Sequence, residues 1–143
     1  MAIYFYDITG STRLPAKRIL KAYLRHLFID EGRELKSLTY IFCSDNYLLK
    51  INKEFLFHDY YTDIVTFSLE NRGEPIVGEV YISIERVRDN ATLLSTHFIT
   101  ELHRVIFHGA LHLCGYKDKS ITQQKLMRAE EERHLSCYFR KTL

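Results

Sequence analysis

With 143 residues, 46% apolar and 27% charged, the chain has the makeup of one domain around a packed core, which excludes disorder and fibrous repeats. No apolar run approaches the roughly 20 residues of a membrane-spanning helix. The net charge of +2 permits an anionic partner only where basic residues cluster. Cys43, Cys114 and Cys137 follow no framework spacing, so reduced thiols are expected and no disulfide. The start, Met1-Ala2-Ile3-Tyr4-Phe5-Tyr6-Asp7, lacks the features of a signal peptide, which gives a cytoplasmic expectation.

In chain order, Ile3 to Thr9 alternates as a strand, and Gly10-Ser11-Thr12 makes a turn. Pro15 suits the first turn of a helix whose apolar stripe is Ile19, Leu20, Tyr23, Leu24, Leu27 and Phe28, ending near Gly32. Lys17, Arg18, Lys21 and Arg25 lie off that stripe, as a solvated face or a phosphate-contacting patch. Ser37 to Cys43 reads as a second strand, and Ser44 or Asp45 caps a helix carrying Tyr47, Leu48, Ile51 and Phe55. Asp63 to Leu69 and Ile76 to Ile84 read as a hairpin around the turn cluster Asn71-Arg72-Gly73-Glu74-Pro75.

From there the pattern is helical. A short helix covers Glu85 to Leu93, and Ser95 or Thr96 caps a long helix running to about Cys114. The last helix spans about Ile121 to Tyr138, with Leu126, Met127 and Leu135 as apolar contacts. The long helix is apolar nearly all round, at Phe98, Val105, Ile106, Phe107, Leu111 and Leu113, which predicts a central, buried element.

That helix carries the chemistry. His108 and His112 are four apart and share one face a turn apart, a spacing at which two imidazoles bind one ion. Gly115 follows where a helix commonly ends on a left-handed residue, and the reversed chain brings Asp118 back toward the rings. Two nitrogens and one carboxylate oxygen leave a fourth position for water, the catalytic type of zinc site. Paired core histidines bonded to carbonyls would share the first spacing but not Gly115 and Asp118. Glu101 lies on the same stripe two turns earlier, as a carboxylate behind the ligands or facing substrate, or as an acid favouring the helix start.

The spacing His-x3-His-x2-Gly-x2-Asp is close to that of metzincin peptidases, which need Glu directly after the first His as general base. Here that residue is Gly109, which takes no proton, so a zinc peptidase ranks third. A metal without an adjacent carboxylate suits attack on a phosphodiester, where it activates water and neutralises phosphoryl charge.

His108-Gly-x-Leu-His112-Leu-x-Gly115-Tyr116 resembles the signature of the YbeY family of rRNA maturation factors. Thr62-Asp63-Ile64-Val65-Thr66-Phe67 is similar to the family's Thr-Asp-Val-Leu-Ser-Phe strand, Gly78-Glu79-Val80-Tyr81-Ile82 to its Gly-Asp-Ile strand, and Glu101-Leu102 fits as well. The resemblance implies an α+β fold: a small mixed β-sheet of about four strands packed against helices, with a central buried helix carrying the metal ligands. It implies one domain over residues 1–143 and a metal-dependent, single-strand-specific endoribonuclease acting in 16S rRNA maturation and ribosome quality control. Its partners would be single-stranded RNA, rRNA and ribosomal particles. Its cofactor would be one zinc ion, or another divalent metal, on His108, His112 and Asp118.

Two positions depart from the family pattern. Asp118 stands where the family usually has a third histidine; a carboxylate is an accepted zinc ligand and makes the site harder, which admits Mn²⁺. Leu56 stands where the family typically carries an arginine thought to act on RNA phosphate. Lys53 or His58 is a substitute, and Lys117 and Lys119, flanking Asp118, are further candidates for RNA contact. Tyr116 is a candidate base-stacking residue or packs the turn against the helix. The loss of the arginine motivates the alternative function, a ribosome-assembly RNA-binding factor whose metal is structural and whose catalysis is weak or absent.

Overall fold

The computed structural model describes residues 1–57 and 62–142, with side chains through Arg140. His58, a candidate RNA contact, lies outside the described residues. The elements run β1 (Ala2–Asp7), α1 (Lys17–Asp30), β2 (Leu35–Cys43), α2 (Asp45–Leu56), β3 (Ile64–Ser68), β4 (Ile76–Ser83), α3 (Ile84–Leu93), α4 (Phe98–Leu113) and α5 (Ile121–Thr142).

The four strands form one mixed sheet in the order β1-β2-β4-β3, as the α+β expectation requires. β1, β2 and β4 are parallel, and β3 returns antiparallel at the edge as half of the β3–β4 hairpin. Period-two alternation divides the side chains. Ile3, Leu38, Tyr40, Phe42, Val80 and Ile82 point into the main core with α1, α3, α4 and α5. Val65, Phe67 and Tyr81 join a smaller cluster with Leu48, Ile51 and Leu56 of α2. α1 turns Leu20, Leu24, Leu27 and Phe28 inward at helical spacing, while Ile19, assigned to the same stripe, is exposed. Leu126 is likewise exposed, whereas Met127 and Leu135 are buried as expected.

α4 is the central helix. Leu102, Ile106, Phe107, Ala110 and Leu111 have no exposed surface, and the Tyr40 hydroxyl donates to the Ile106 carbonyl at 2.7 Å. Burial on several sides demands small residues where the helix meets the sheet. A Cβ on Gly109 would lie 2.9 Å from Val80 Cγ1 and 3.1 Å from Ile64 Cδ1. A side chain at the position that holds the base of a peptidase would require Val80 to shift.

The helix starts are partly as expected. Ser44 caps α2, its hydroxyl accepting from the Tyr47 N–H at 3.1 Å, and Ser83 caps α3 through Arg86 at 3.2 Å. Ser95, however, ends α3 rather than starting α4. It takes a left-handed φ of 53°, and Thr96 N–H reaches back to the Ala91 carbonyl at 3.0 Å. His97 then occupies the N-cap of α4 without a side-chain bond. Pro15 precedes α1 by two residues instead of lying in its first turn.

Candidate metal centre

The end of α4 sets the site. Gly115 N–H donates to the His112 carbonyl at 3.0 Å, and Tyr116 N–H to the Leu111 carbonyl at 3.1 Å. This paired closure needs a left-handed residue, and Gly115 supplies it with φ 107°. Tyr116 then anchors the turn, its hydroxyl donating to both Glu31 carboxylate oxygens at 3.1 Å. The chain so reversed returns Asp118 over the last turn of the helix.

Asp118 Oδ2 lies 3.2 Å from His112 Nε2 and 3.4 Å from His108 Nε2. The edge of a tetrahedron with metal–ligand arms of about 2.0–2.1 Å is roughly 3.3–3.4 Å. Both separations from the Asp118 oxygen therefore match those that one tetrahedral ion requires, and the three ligating atoms lie within 4.8 Å of one another. The protonation pattern agrees. His108 Nδ1 is 2.6 Å from Glu131 Oε2, and a carboxylate only accepts, so Nδ1–H donates. In the neutral ring, Nε2 then turns a lone pair toward the Asp118 oxygen. Two acceptors face each other there, and a cation between them removes the conflict.

Glu131 is buried on α5 and is held from behind. Arg104 Nη1 lies 3.7 Å from its Oε1, and Arg128 Nη1 lies 3.6 Å from the same atom. Arg104 also donates from Nε to Glu101 at 3.1 Å and from Nη1 to Glu132. Burial alone would depress the His108 pKa; the hydrogen bond to Glu131 and the charges of Glu131, Asp118 and Asp63 outweigh it and raise it. Burial raises Asp63, against the pull of His108. Burial also raises Glu101, against the pull of Arg104.

These groups share one open cleft of about 780 Å³ between β3, α4 and α5, lined by Glu101, Arg104, His108, His112, Asp118, Lys119, Arg128 and Glu131. Leu56, Ile64, Val65 and Val105 give it apolar stretches.

Residues 8–138 match the family described as Endoribonuclease YbeY. The chain belongs to the YbeY endoribonuclease family. It is 44% identical to a protein of that name from Cytophaga hutchinsonii, over 94% of each chain. It is 45% identical to one from Porphyromonas gingivalis, over 93% of this chain and 87% of the other. A Thermotoga maritima protein solved in solution shares the fold, with a TM-score of 0.66 at 23% identity over 99% of this chain and 91% of that one. The family is a hydrolase family acting on RNA, and this member has a residue group suited to a metal ion.

Against the sequence expectations for this YbeY member, His108, His112 and Asp118 come together, and Glu101 and Lys119 line the same cleft. Lys117 is exposed on the far side of the turn, in a depression with Cys114, Tyr116 and Gln123. Lys53 is exposed in the last turn of α2 and is not among the cleft residues. Cys43, Cys114 and Cys137 are free thiols, and burial first of all pushes Cys43 and Cys114 up to about 12. No described helix is long and apolar enough to cross a membrane.

Glu131, Arg104, Arg128 and Asp63 were not identified as site residues from the sequence. For Glu131 a signal existed. It sits four residues after Met127 and four before Leu135, on the stripe that α5 buries. An acid on a buried stripe requires a partner.

Proposed function

We propose that the chain is a single hydrolase domain that cuts single-stranded RNA, with one zinc ion held by His108, His112 and Asp118. The observation that carries this reading is the single Asp118 oxygen 3.2 and 3.4 Å from two Nε2 atoms, with the opposite nitrogen of His108 committed to Glu131. When bound, such an ion lowers the pKa of a water and neutralises charge on phosphoryl oxygens.

The protein's own groups do the rest. Glu131 sets the tautomer and orientation of His108. Arg128, its side chain 53% exposed, and Lys119 offer cationic heads to phosphates at the mouth. Arg104 is fully engaged by acids and serves to hold Glu131 and Glu101. Gly109 gives no side chain to take a proton, so peptide hydrolysis in the metzincin manner is disfavoured. The cellular reading that follows is cytoplasmic 16S rRNA maturation on ribosomal particles.

The test uses metal-replete protein, single- and double-stranded RNA, and His112→Ala. The expected result is cleavage of the single strand by wild type, lost in the variant and after chelation. Equal cleavage by both proteins would overturn the enzyme reading. Elemental analysis of Asp118→Ala tests the third ligand: full metal retention would remove Asp118 from the set.

A second reading, RNA binding without turnover, draws on Leu56, which lines the cleft with an alkyl group where the family pattern has a guanidinium. It predicts RNA binding by wild type with no cleavage at any metal loading.

A further inference from the structure

The wall of the cleft opposite α5 is the free edge of the sheet. Among the described residues β3 pairs only with β4 and ends the strand order. Its uninterrupted antiparallel register fixes which main-chain groups face outward. Ser83 N–H donates to the Asp63 carbonyl at 2.9 Å, and Leu69 N–H to the Val77 carbonyl at 2.7 Å. Residues of odd number therefore direct their N–H and C=O toward β4, and Ile64, Thr66 and Ser68 direct theirs away from it. All three outward residues line the cleft that holds His108, His112 and Asp118. The Ile64 carbonyl already accepts from the Thr62 hydroxyl at 3.3 Å. Thr66, at the centre of the strand, keeps both an outward donor and an outward acceptor, with no partner among the described residues.

We propose that this edge is a nucleobase subsite: the main-chain N–H and C=O of Thr66 read the edge of an unpaired base, whose face packs on the apolar lining at Leu56 and Val105. The proposal rests on the endoribonuclease reading and deepens it. Each RNA base offers a neighbouring donor and acceptor on its pairing edge. In a duplex those groups are consumed by the complementary strand, so a site that needs them selects single strands. Leu56 fits this role. An alkyl side chain suits the face of a base, whereas it cannot hold a phosphate. The subsite is continuous with the metal triad, so a base seated there leaves its own or the next phosphate near Asp118 and Lys119.

The experiment is an abasic walk. Short single-stranded oligoribonucleotides of one sequence, each lacking one base, are titrated against zinc-loaded wild type, Thr66→Pro and Thr66→Val, with cleavage of the intact RNA followed in parallel. For wild type, removal of a base beside the cleavage site weakens binding about tenfold, and removal elsewhere has little effect. Thr66→Pro deletes the outward N–H at a sheet edge, where no ladder bond depends on it. It binds intact RNA about three- to tenfold more weakly, with unchanged metal content, and loses nothing further on the RNA lacking that base. Thr66→Val keeps the main-chain pair and binds as wild type.

A flat abasic walk on wild type that still cuts RNA would overturn the subsite and leave the enzyme reading standing. Absence of both cleavage and binding by wild type would overturn the two together. A Thr66→Pro loss equal on intact and abasic RNA would also overturn the subsite. If Thr66→Pro does not fold, the walk on wild type decides alone. A flat walk with displacement of the RNA by an extended peptide would reassign the edge to strand addition.

Discussion

Among the described residues, two groups of side chains bring histidine and carboxylate within reach of a single ion: His108, His112 and Asp118 at the cleft, and Glu31, Glu130 and His134 beside α1. They differ in what already donates to them. In the second group Arg133 Nη2 lies 2.7 Å from Glu130 and 3.3 Å from His134 Nε2, and Tyr116 donates to both oxygens of Glu31. Tyr23 Oη sits 2.7 Å from His134 Nδ1 and donates to the His134 carbonyl at 3.4 Å. The chain's own donors satisfy that group, and its positive charge is the guanidinium of Arg133. At the cleft the Nδ1–H of His108 is committed to Glu131, and the Nε2 atoms of His108 and His112 face the one Asp118 oxygen. Proximity of ligating atoms is common to both groups. Two imidazole nitrogens facing one carboxylate oxygen, with no arginine or tyrosine donating to them, distinguish the cleft among the described residues.

The sharpest way to break this comparison is to delete one histidine from each group. His112→Ala should lose its metal and at least about a hundredfold of RNA cleavage, given one of three ligands removed. His134→Ala should keep metal and turnover and lose stability instead. Equal metal loss in both variants, measured by elemental analysis, would make the second group a site as well.

Glu131→Gln is the next test, because it keeps an acceptor for His108 but removes the charge. Metal affinity should fall about 10- to 100-fold, read by competition with a chelator. The matching change of Glu130→Gln should leave metal affinity unaltered.

The pH response separates the groups in a different way. Burial first, then Arg133, lowers His134 from 6.5 to about 4. Between those values the unfolded chain binds the proton that the folded chain refuses. The stability present above pH 6.5 is therefore lost as the pH falls toward 4, by up to about 3 kcal/mol. Urea midpoints of wild type should fall across that window, and those of His134→Ala should fall less. A midpoint unchanged from pH 7 to 4.5 would contradict the buried, neutral imidazole.

The smallest effect belongs to the mouth of the cleft. Arg128→Ala should weaken RNA binding a few-fold and reduce the salt slope by about one, whereas Arg133→Ala should change neither. A salt dependence that is flat in wild type would remove phosphate contact from the reading.

Much of this was present in the order of residues. Local spacing determined the strands, the hairpin, the buried helix and the pair His108 and His112, because period and turn chemistry act within a few residues. It also determined the return of Asp118, since the closure at Gly115 is a local event. The misreadings were local as well. Ser95 satisfies the composition of an N-cap and serves as the left-handed end of α3, because both roles accept a small polar residue. Ile19 and Leu126 are apolar at helical spacing, but only the neighbouring elements decide which side of a stripe is covered.

Tertiary structure alone decided the rest. Glu131 stands 23 residues beyond His108, and no short-range pattern couples them; α5 packing on α4 brings them to 2.6 Å. The reason Gly109 has no side chain, the approach of Val80 from β4, was also invisible in the chain. The same holds for the open edge of β3, since which strand ends a sheet is a property of topology. The sequence thus determined which atoms can bind a metal. The fold decided which of them receive an arginine or tyrosine donor, and that difference separates the cleft from the cluster at His134.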